Sequence, residues 1–221
     1  MNKNPGIVGT KIGMTQIFNE KGEVLRCTVV QSGGVVIGKR TPEKDGYSAL
    51  IIGLGERKEK HTNKPLAGTF RKAEQTPKRI IRELRLSAEE VATYEVGQKL
   101  AVDKIFQEGQ HVDAQGITRG RGFTGVMRRW NFAGAVSSHG THEYFRHGGS
   151  IGTNMTPGRT LPGLKMPGHY GAETWSTLNL RIAKILPEQD LILIEGGVPG
   201  AKNGTVVIRG AVKKKNAGKK A

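Results

Sequence analysis

Short apolar runs alternate with polar positions through most of the chain, separated by Gly, Pro and Asn. Runs of this kind that are rich in β-branched residues predict β-strands. Before residue 115 they are EVLRCTVVQSG, GGVVIGKR, YSALIIGLG, RIIRELRL and QKLAVDKIF, and after residue 171 they are TWSTLNLRIAKILP, DLILIEGGVPG and TVVIRGAV. Because short strands follow one another so closely, the pattern predicts a mainly β fold built on a small β-barrel.

Helical patterns are scarce, and we expect only one or two short helices. The clearest is SAEEVATY, Ser87 to Tyr94, where Ser87 can cap the helix and Glu90 completes a capping box. A charged stretch at about 55–76, containing ERKEKHTNKPLAGTFRKAEQ, interrupts the strand patterns and predicts an excursion from the barrel. Two interpretations of this excursion remain open, a solvated loop and a segment that contacts RNA.

A different composition begins at Gly116 and continues to Gly171. These 56 residues contain 13 Gly, seven Arg or Lys and a single acid, Glu143. Neither a helical nor a strand period lasts for long, and a structureless loop of this length is unusual inside a compact domain. So little apolar surface cannot offset the entropy of ordering the segment. We therefore expect it to order mainly against a negatively charged template outside the chain.

The chain consequently divides into three predicted parts. Residues 1–115 and 172–212 form one discontinuous barrel domain, which the basic, Gly-rich extension at 116–171 interrupts. Residues 213–221, KKKNAGKKA, form a basic tail without core residues.

The charge balance indicates the kind of partner. The chain has 35 Lys and Arg against 19 Asp and Glu, which gives a formal net charge of +16. This excess favours a polyanion, most often nucleic acid, and no amphipathic helix with large apolar anchors suggests a membrane surface instead. The N-terminus lacks the apolar segment of a signal peptide, and no window is long enough to span a membrane. We expect a cytoplasmic protein, in which the single cysteine, Cys27, is a small buried residue.

Gly120, Gly122 and Gly125 in GITRGRGFTGVMRRW form a G-x-G-x-x-G pattern, which in other proteins binds a dinucleotide. That use requires a preceding strand and a following helix, and Gly134 and SSHG break any helix early. Glycines also let backbone N–H groups approach phosphates closely, and interleaved arginines donate forked hydrogen bonds to phosphate oxygens. The pattern therefore favours RNA phosphates over a nucleotide cofactor.

Other motifs for cofactors, metals and catalysis are weak. Gly33–Thr41 resembles a phosphate-binding loop, but Arg40 stands where Ser or Thr should bind magnesium. The spacing of the histidines fits no standard zinc pattern, and no acid–base or nucleophilic set stands out. We therefore predict no metal, no cofactor, no small-molecule substrate and no enzymatic activity. Four aromatic residues of the extension either stack on bases or anchor the extension, and both interpretations stay open: Trp130, Phe132, Tyr144 and Phe145.

Several segments together resemble the L-three family of large-subunit ribosomal proteins in its bacterial form. The family signature matches Phe106, Asp113, Gly116, Thr118, Gly120, Arg121, Gly122, Gly125 and Arg129. The resemblance extends to GIVGTKIGMTQIF, GSIGTNMTPGRTLPGLKMPGHYG and DLILIEGGVPGAKNG, and so covers essentially the whole chain.

The resemblance implies a structural constituent of the large ribosomal subunit with a translation-factor-like β-barrel. It implies binding to 23S-type rRNA and to neighbouring ribosomal proteins, early entry into assembly, and an extension that runs toward the peptidyl transferase centre. It does not imply a homo-oligomer. We expect the rRNA-binding residues to be Arg119, Gly120, Arg121, Gly122, Gly125, Arg128, Arg129, Trp130, His139, His142, Arg146, His147, Arg159, Lys165 and His169. The tip of the extension matches Gly152, Thr153, Asn154, Met155, Thr156 and Pro157.

One position departs from the family pattern. Many bacterial members carry a glutamine at the tip, methylated in some of them, where this chain has Met155. Two other functional hypotheses remain. A non-ribosomal nucleic-acid-binding or assembly protein could share the barrel, and more remotely a nucleotide-dependent enzyme could use the glycine pattern at Gly120.

Overall fold

The computed structural model describes residues 3–214 and divides the chain into two compact units. The first, here called the ring unit, combines the chain up to Ile117 with the chain from Thr174 onward, and the second, the inserted unit, is Thr118–Glu173. From residue 215 onward, the predicted basic tail lies outside the described residues.

Strands dominate the described residues, which confirms the predicted mainly β class. In chain order they are β1 (Gly6–Phe18), β2 (Val24–Ser32), β3 (Val35–Arg40), β4 (Ala49–Glu56), β5 (Lys78–Arg85), β6 (His111–Ile117), β7 (Phe123–Thr124), β8 (Gly168–His169), β9 (Thr174–Leu186), β10 (Leu191–Glu195) and β11 (Thr205–Gly210). The α-helices are α1 (Pro42–Asp45), α2 (Lys64–Lys72), α3 (Ala88–Thr93), α4 (Val102–Ile105) and α5 (Val126–Trp130). Three short 3-10 helices lie at Glu59–His61, His142–Arg146 and Pro187–Gln189.

Six antiparallel strands of the ring unit close on themselves in the order β1-β11-β6-β9-β10-β2. Side chains alternate across each strand, so every second residue points into the ring. In β11, Val206 and Ile208 are buried inside it, whereas Val207 points outward. The interior is filled by apolar side chains from all around the ring, Ile7, Val30, Val112, Ala114, Ile182, Ile192, Ile194, Val206 and Ile208 among them.

Three of the predicted strands lie outside this ring. β3, β4 and β5 form a separate antiparallel sheet in that order, with a core of its own around Leu50, Ile52 and Leu84. The prediction that all the strands belong to one barrel was therefore wrong for these three. Alternation identifies a strand but not its partner, because the same pattern suits any half-buried sheet.

The helices show one confirmed prediction and two errors. α3 begins after Ser87, whose hydroxyl accepts a hydrogen bond from the Glu90 N–H in the predicted capping box. QKLAVDKIF was predicted as a strand but contains α4, because Val102 and Phe106 are four residues apart and share one face of a helical turn. The expected number of one or two helices was too low for residues 3–214, where five occur.

The stretch at 55–76 contains regular structure. Glu59–His61 forms a 3-10 helix and α2 follows, beginning with Pro65 in its first turn. Phe70 of α2 is 2% exposed and packs with Ile37 and Ala73 in a small cluster on the three-stranded sheet. None of the helices in residues 3–214 is long and apolar enough to cross a membrane.

Candidate nucleic-acid interface

The two ends of the inserted unit are hydrogen-bonded to each other along a short ladder. β7 pairs with β8, so that Phe123 faces His169 and Thr124 faces Gly168. Backbone hydrogen bonds continue the ladder from Arg121 N–H to the Tyr170 oxygen at 2.8 Å and from Tyr170 N–H to the Gly122 oxygen at 2.9 Å. At its far end Thr118 N–H donates to the Glu173 oxygen at 2.9 Å. The ladder fixes the base from which the rest of the unit extends.

The three glycines of the G-x-G-x-x-G pattern lie on this base and differ in what surrounds them. Gly122 has φ of +64°, a conformation that favours glycine, and nothing lies within 4 Å of where its Cβ would be. Gly125 has ordinary dihedral angles, is equally open, and precedes α5. Beside Gly120, a Cβ would meet the Ala172 methyl at 3.6 Å. The space at Gly122 and Gly125 permits a close approach of the backbone to a ligand.

This arrangement differs from a dinucleotide-binding loop. Such a loop connects a buried strand to a long helix whose N-terminus binds the pyrophosphate. Here the pattern runs along a two-residue strand, and the helix that follows Gly125 has five residues. The geometry therefore disfavours the nucleotide hypothesis.

α5 is held to the returning chain by its last two residues. Arg129 Nη1 donates to the Met166 carbonyl oxygen at 3.0 Å, and Trp130 Nε1 donates to the same oxygen at 2.9 Å. The Arg129 guanidinium lies 5.0 Å from the centroid of the Trp130 ring, and Lys165 Nζ lies 5.9 Å from it. Trp130 already has internal partners at its edge and its ring, which favours the anchoring interpretation of this residue over base stacking.

Arg121 belongs to the same base. Its guanidinium lies 5.1 Å from the centroid of the Tyr170 ring, and its backbone is part of the ladder. Since Tyr170 also accepts the Arg121 N–H, the two residues are joined twice. The side chain of Arg121 is nonetheless exposed, so its charge is available to a ligand.

The middle of the unit is largely exposed, and its regular structure is limited to the short 3-10 helix at His142–Arg146. Ala135 N–H donates to the Phe145 oxygen at 3.0 Å, and Gly134 sits so close to that oxygen that a Cβ would be 2.5 Å from it. Tyr144 and His147 pack edge to face at 4.8 Å. His139 and His142 are exposed with positive φ values, and His169 lies on β8. Within residues 3–214 no three potential metal ligands come together.

The predicted tip is a compact loop with its side chains in solvent. Ser150 Oγ donates to the Gly152 oxygen at 2.9 Å, and Thr153 Oγ1 donates to the Thr156 oxygen at 2.8 Å. The Thr156–Pro157 peptide bond is cis. Met155 is 87% exposed and Asn154 is exposed beside it. Local hydrogen bonds thus shape the loop and leave the Met155 side chain fully presented.

The electrostatics of the inserted unit are one-sided. The unit contains seven basic residues and only two acids, Glu143 and Glu173. None of the seven basic residues forms an ion pair with any residue in the described part of the chain. Arg129 is half-buried, and the other six are exposed: Arg119, Arg121, Arg128, Arg146, Arg159 and Lys165. Exposed positive charges that are not compensated internally favour binding to a polyanion.

Very little of the inserted unit is buried within itself. Among its described residues Thr124, Val126 and Gly171 are the buried ones. Large apolar side chains stand in solvent instead, including Phe123 at 79%, Tyr144 at 66% and Ile151 at 59% exposure. A unit with so small a core presents both its charges and its apolar side chains to an external surface.

Sequence reasoning did not find two features of this site. The Met166 carbonyl, which joins α5 to the returning chain, is a backbone group that no residue pattern reveals. Tyr170 was not singled out either, because the sequence did not predict the ladder that places it beside Arg121. Which of the named residues contact RNA stays a prediction.

A mainly β body that carries an exposed, basic and glycine-rich insertion is typical of structural proteins that bind a polyanion. A family model described as Ribosomal protein L3 matches residues 85–190, a range that includes the whole inserted unit. The Large ribosomal subunit protein uL3 of Sorangium cellulosum (strain So ce56) is 77% identical over 215 residues, which cover 97% of this chain and 93% of the relative. The chain belongs to the ribosomal protein L3 family.

Two further relatives carry the same description. The protein from Myxococcus xanthus (strain DK1622) is 50% identical over 210 residues, which cover 94% of this chain and 93% of the relative. The protein from Acidothermus cellulolyticus (strain ATCC 43068 / DSM 8971 / 11B) is 46% identical over 211 residues, which cover 95% and 94%. The family resemblance found in the sequence is confirmed, and with it the assignment to a class of structural, non-enzymatic proteins.

Proposed function

We propose that the chain is a structural constituent of the large ribosomal subunit, where it binds large-subunit rRNA. The observation that carries this proposal is the inserted unit, in which seven basic side chains meet no internal ion-pair partner among residues 3–214. The positive charges of such a unit are not neutralised by internal ion pairs, and rRNA phosphates supply the negative charges that neutralise them. Family membership agrees with this role.

The ring unit provides the body of the protein. The closed six-stranded ring is proposed to be a barrel of the translation-factor type, within a discontinuous domain of residues 1–115 and 172–212 that is seated on the surface of the subunit. A ring without free strand edges is a suitable rigid base, because it can neither slip in register nor recruit further strands. Neighbouring ribosomal proteins and rRNA are its partners, without a second copy of the chain.

The extension predicted at residues 116–171, which largely coincides with the inserted unit, is proposed to run through the rRNA toward the peptidyl transferase centre. Its tip at Gly152–Pro157 would be the part nearest that centre, with Asn154 and the exposed Met155 presented to RNA. Phosphate contacts are assigned to Arg119, Arg121, Arg128, Arg129, Arg146, Arg159 and Lys165, and the histidines at 139, 142, 147 and 169 contact phosphates or bases.

Within the cell we place the protein in cytoplasmic ribosomes, where it joins early and helps the large-subunit RNA to fold. Neither a cofactor nor a metal enters this function. Chemistry at the peptidyl transferase centre belongs to the RNA, and the protein braces the RNA around it.

Co-sedimentation tests this proposal. Tagged full-length chain is expressed in the source cells, ribosomes are washed in high salt, and the amount of tagged chain per large subunit is measured. One copy per mature subunit is expected. Chain that is bound to precursors and missing from mature subunits would instead indicate an assembly protein. Saturable binding of a free nucleotide, lost on Gly122→Ala, would indicate the enzyme hypothesis.

A further inference from the structure

The ring unit contains a groove of about 700 Å³, whose lining includes Ile117 and Thr174, the residues that flank the inserted unit in sequence. One wall is β5, the edge strand of the three-stranded sheet, and the other consists of the outward faces of β6, β9 and β11. Three arginines line the groove, namely Arg82 and Arg85 on β5 and Arg209 on β11. Sequence analysis did not single out any of them.

Two acidic residues line the groove beside these arginines, and both accept hydrogen bonds from other groups of the protein. Glu83 accepts hydrogen bonds from Arg40 Nε at 3.3 Å and from the Tyr47 hydroxyl at 2.7 Å. Asp113 is buried and accepts backbone N–H groups from Asn179 at 2.9 Å and Val212 at 3.1 Å. Both carboxylates keep their charge, but Glu83 is paired with Arg40 and Asp113 is buried. The charge that the groove presents to solvent therefore comes mainly from the exposed Arg82 and Arg85.

Hydrogen-bond donors stand between the charges. Gln115 of β6, Ser176 of β9 and Thr205 of β11 line the groove, and Gln115 and Ser176 are exposed. Hydroxyl and amide groups of this kind donate to phosphate oxygens and to ribose hydroxyls. The chain leaves the groove at Val212 into Lys213 and Lys214, both exposed, which extend the positive surface.

We propose that this groove is a second RNA-binding site, which takes the phosphodiester backbone of an rRNA strand between β5 and the ring. The identity of the ligand as RNA rests on the proposed function, whereas the location of the site rests on the groove. Charge complementarity favours RNA over an added peptide strand, because arginines along an edge strand oppose strand pairing.

The experiment measures binding of the full-length chain to a large-subunit rRNA transcript over a range of salt concentrations. Arg82→Gln removes a charge from the groove, and its matched control is Arg79→Gln, an exposed arginine of the same strand outside the groove. We expect Arg82→Gln to weaken binding several-fold and to reduce the log–log salt slope by roughly 0.7–0.9, as for one lost phosphate contact. Arg79→Gln should leave both unchanged.

A second pair adds charge instead of removing it. Gln115→Glu places a carboxylate in the groove, and Gln31→Glu makes the same change at an exposed position of β2 outside it. We expect the first to weaken rRNA binding and the second to have no effect. Thermal melting verifies that all four variants are folded.

Four outcomes would overturn the proposal. If Arg82→Gln and Gln115→Glu bind rRNA like wild type while the inserted-unit variant Arg128→Gln binds more weakly, the groove does not bind rRNA. The proposed function would then remain intact. Equal losses in Arg82→Gln and Arg79→Gln would show diffuse charge without a site. Binding of a polyglutamate peptide that depends on Arg82, while rRNA binding does not, would assign the groove to an acidic protein. A wild-type chain without affinity for the transcript would overturn both proposals.

Discussion

The indole N–H of Trp130 donates to the Met166 carbonyl oxygen at 2.9 Å, across 36 residues of chain. The same oxygen accepts a hydrogen bond from Arg129 at 3.0 Å, so one carbonyl joins the end of α5 to the segment just before β8. Residues 131–165 therefore form a loop that is closed at its base by side chains as well as by the β7–β8 ladder. This closure determines where the exposed part of the inserted unit begins.

Trp130→Phe tests the closure by removing the N–H donor while it keeps an aromatic ring. One hydrogen bond contributes about 1 kcal/mol, and a partly exposed one contributes less than a buried one. We expect local opening to become a few times more frequent. Hydrogen exchange followed by mass spectrometry should show faster exchange at Arg121 and Tyr170, whose N–H groups form the adjacent ladder.

Trp175→Phe is the matched control, because Trp175 is the second tryptophan of the chain and is 59% exposed on β9 in the ring unit. Its indole forms no hydrogen bond with a residue in the described part of the chain. The control should leave exchange in the inserted unit unchanged. Equal exchange rates at Arg121 and Tyr170 in wild type and Trp130→Phe would contradict the structural role of the indole.

Arg128 and Arg129 are adjacent and carry the same charge, but the structure gives them different tasks. Arg128 is exposed, and its side chain meets no acceptor among residues 3–214, whereas Arg129 bonds to Met166. We expect Arg128→Gln to reduce the salt slope of rRNA binding by roughly 0.7–0.9 without changing exchange at the base. Arg129→Gln should both reduce the salt slope and accelerate hydrogen exchange at the base. Identical effects of the two variants on both measurements would contradict this division.

Gly125 offers a test of close approach that does not disturb the fold. It has φ of −69°, and nothing lies within 4 Å of its Cβ position, so a side chain fits the free protein without strain. Serine is also a good residue to precede a helix. We therefore expect Gly125→Ser to melt like wild type and to bind rRNA at least several-fold more weakly, since its Cβ would meet a phosphate. Unchanged affinity would show that no RNA approaches this backbone.

Gly171→Ala is the contrasting variant on the same base. Gly171 has φ of +77°, and an added Cβ would overlap the carbonyl oxygen of Arg119. This substitution should disrupt the ladder itself, which circular dichroism and exchange would show before any RNA is added. Gly125→Ser and Gly171→Ala together distinguish two causes of weaker rRNA binding. The first variant would obstruct contact with RNA, and the second would disrupt the fold of the base.

Alternation of apolar and polar residues was sufficient to predict most strands, because it reports burial of one face directly. It missed β1, in which Gly6, Gly9 and Gly13 interrupt the pattern. Two of them, Gly6 and Gly9, lie where strands approach each other closely: a Cβ on Gly6 would lie 2.5 Å from the Ile208 oxygen, and one on Gly9 would lie 2.7 Å from the Gln31 oxygen. Where backbones pack this closely, glycine takes the place of the side chains whose alternation would identify the strand in the sequence.

The basic character of the site was evident from composition alone, since charge needs no fold to be counted. The groove between β5 and the ring was not, because Arg82 and Arg209 are far apart in sequence and belong to different sheets. How two sheets lie against each other depends on long-range packing, which local patterns do not encode.

Cys27 should react slowly in the folded protein. Burial raises the pKa of its thiol, and the nearby Glu195 carboxylate raises it further. Because the thiolate is the nucleophile, iodoacetamide at pH 8 should alkylate folded chain at least about tenfold more slowly than chain unfolded in urea. Intact mass measures this cleanly, since the chain has one cysteine. Equal rates would contradict the burial.

The same shift has a consequence for stability at high pH. The folded-state pKa of the Cys27 thiol lies above the unfolded one, so the unfolded chain releases this proton first as pH rises. Cys27 therefore favours unfolding once pH passes the ordinary thiol pKa, and its contribution to stability falls there. Cys27→Ala should reduce that part of the pH dependence when the free energy of unfolding is measured by urea titration.

α2 lies in the charged stretch that was interpreted as either a solvated loop or an RNA-contacting segment, and Phe70 packs it against the sheet. Phe70 is 2% exposed against Ile37 and Ala73. Truncation of a buried phenylalanine costs about 3–5 kcal/mol, and the lower end applies here because the cluster is small. We expect Phe70→Ala to lower the free energy of unfolding by about 3 kcal/mol in urea titration followed by circular dichroism. Phe18→Ala, at a β1 position that is 68% exposed, should change it by less than about 0.5 kcal/mol. If the two variants prove equally stable, α2 does not pack on the sheet as described.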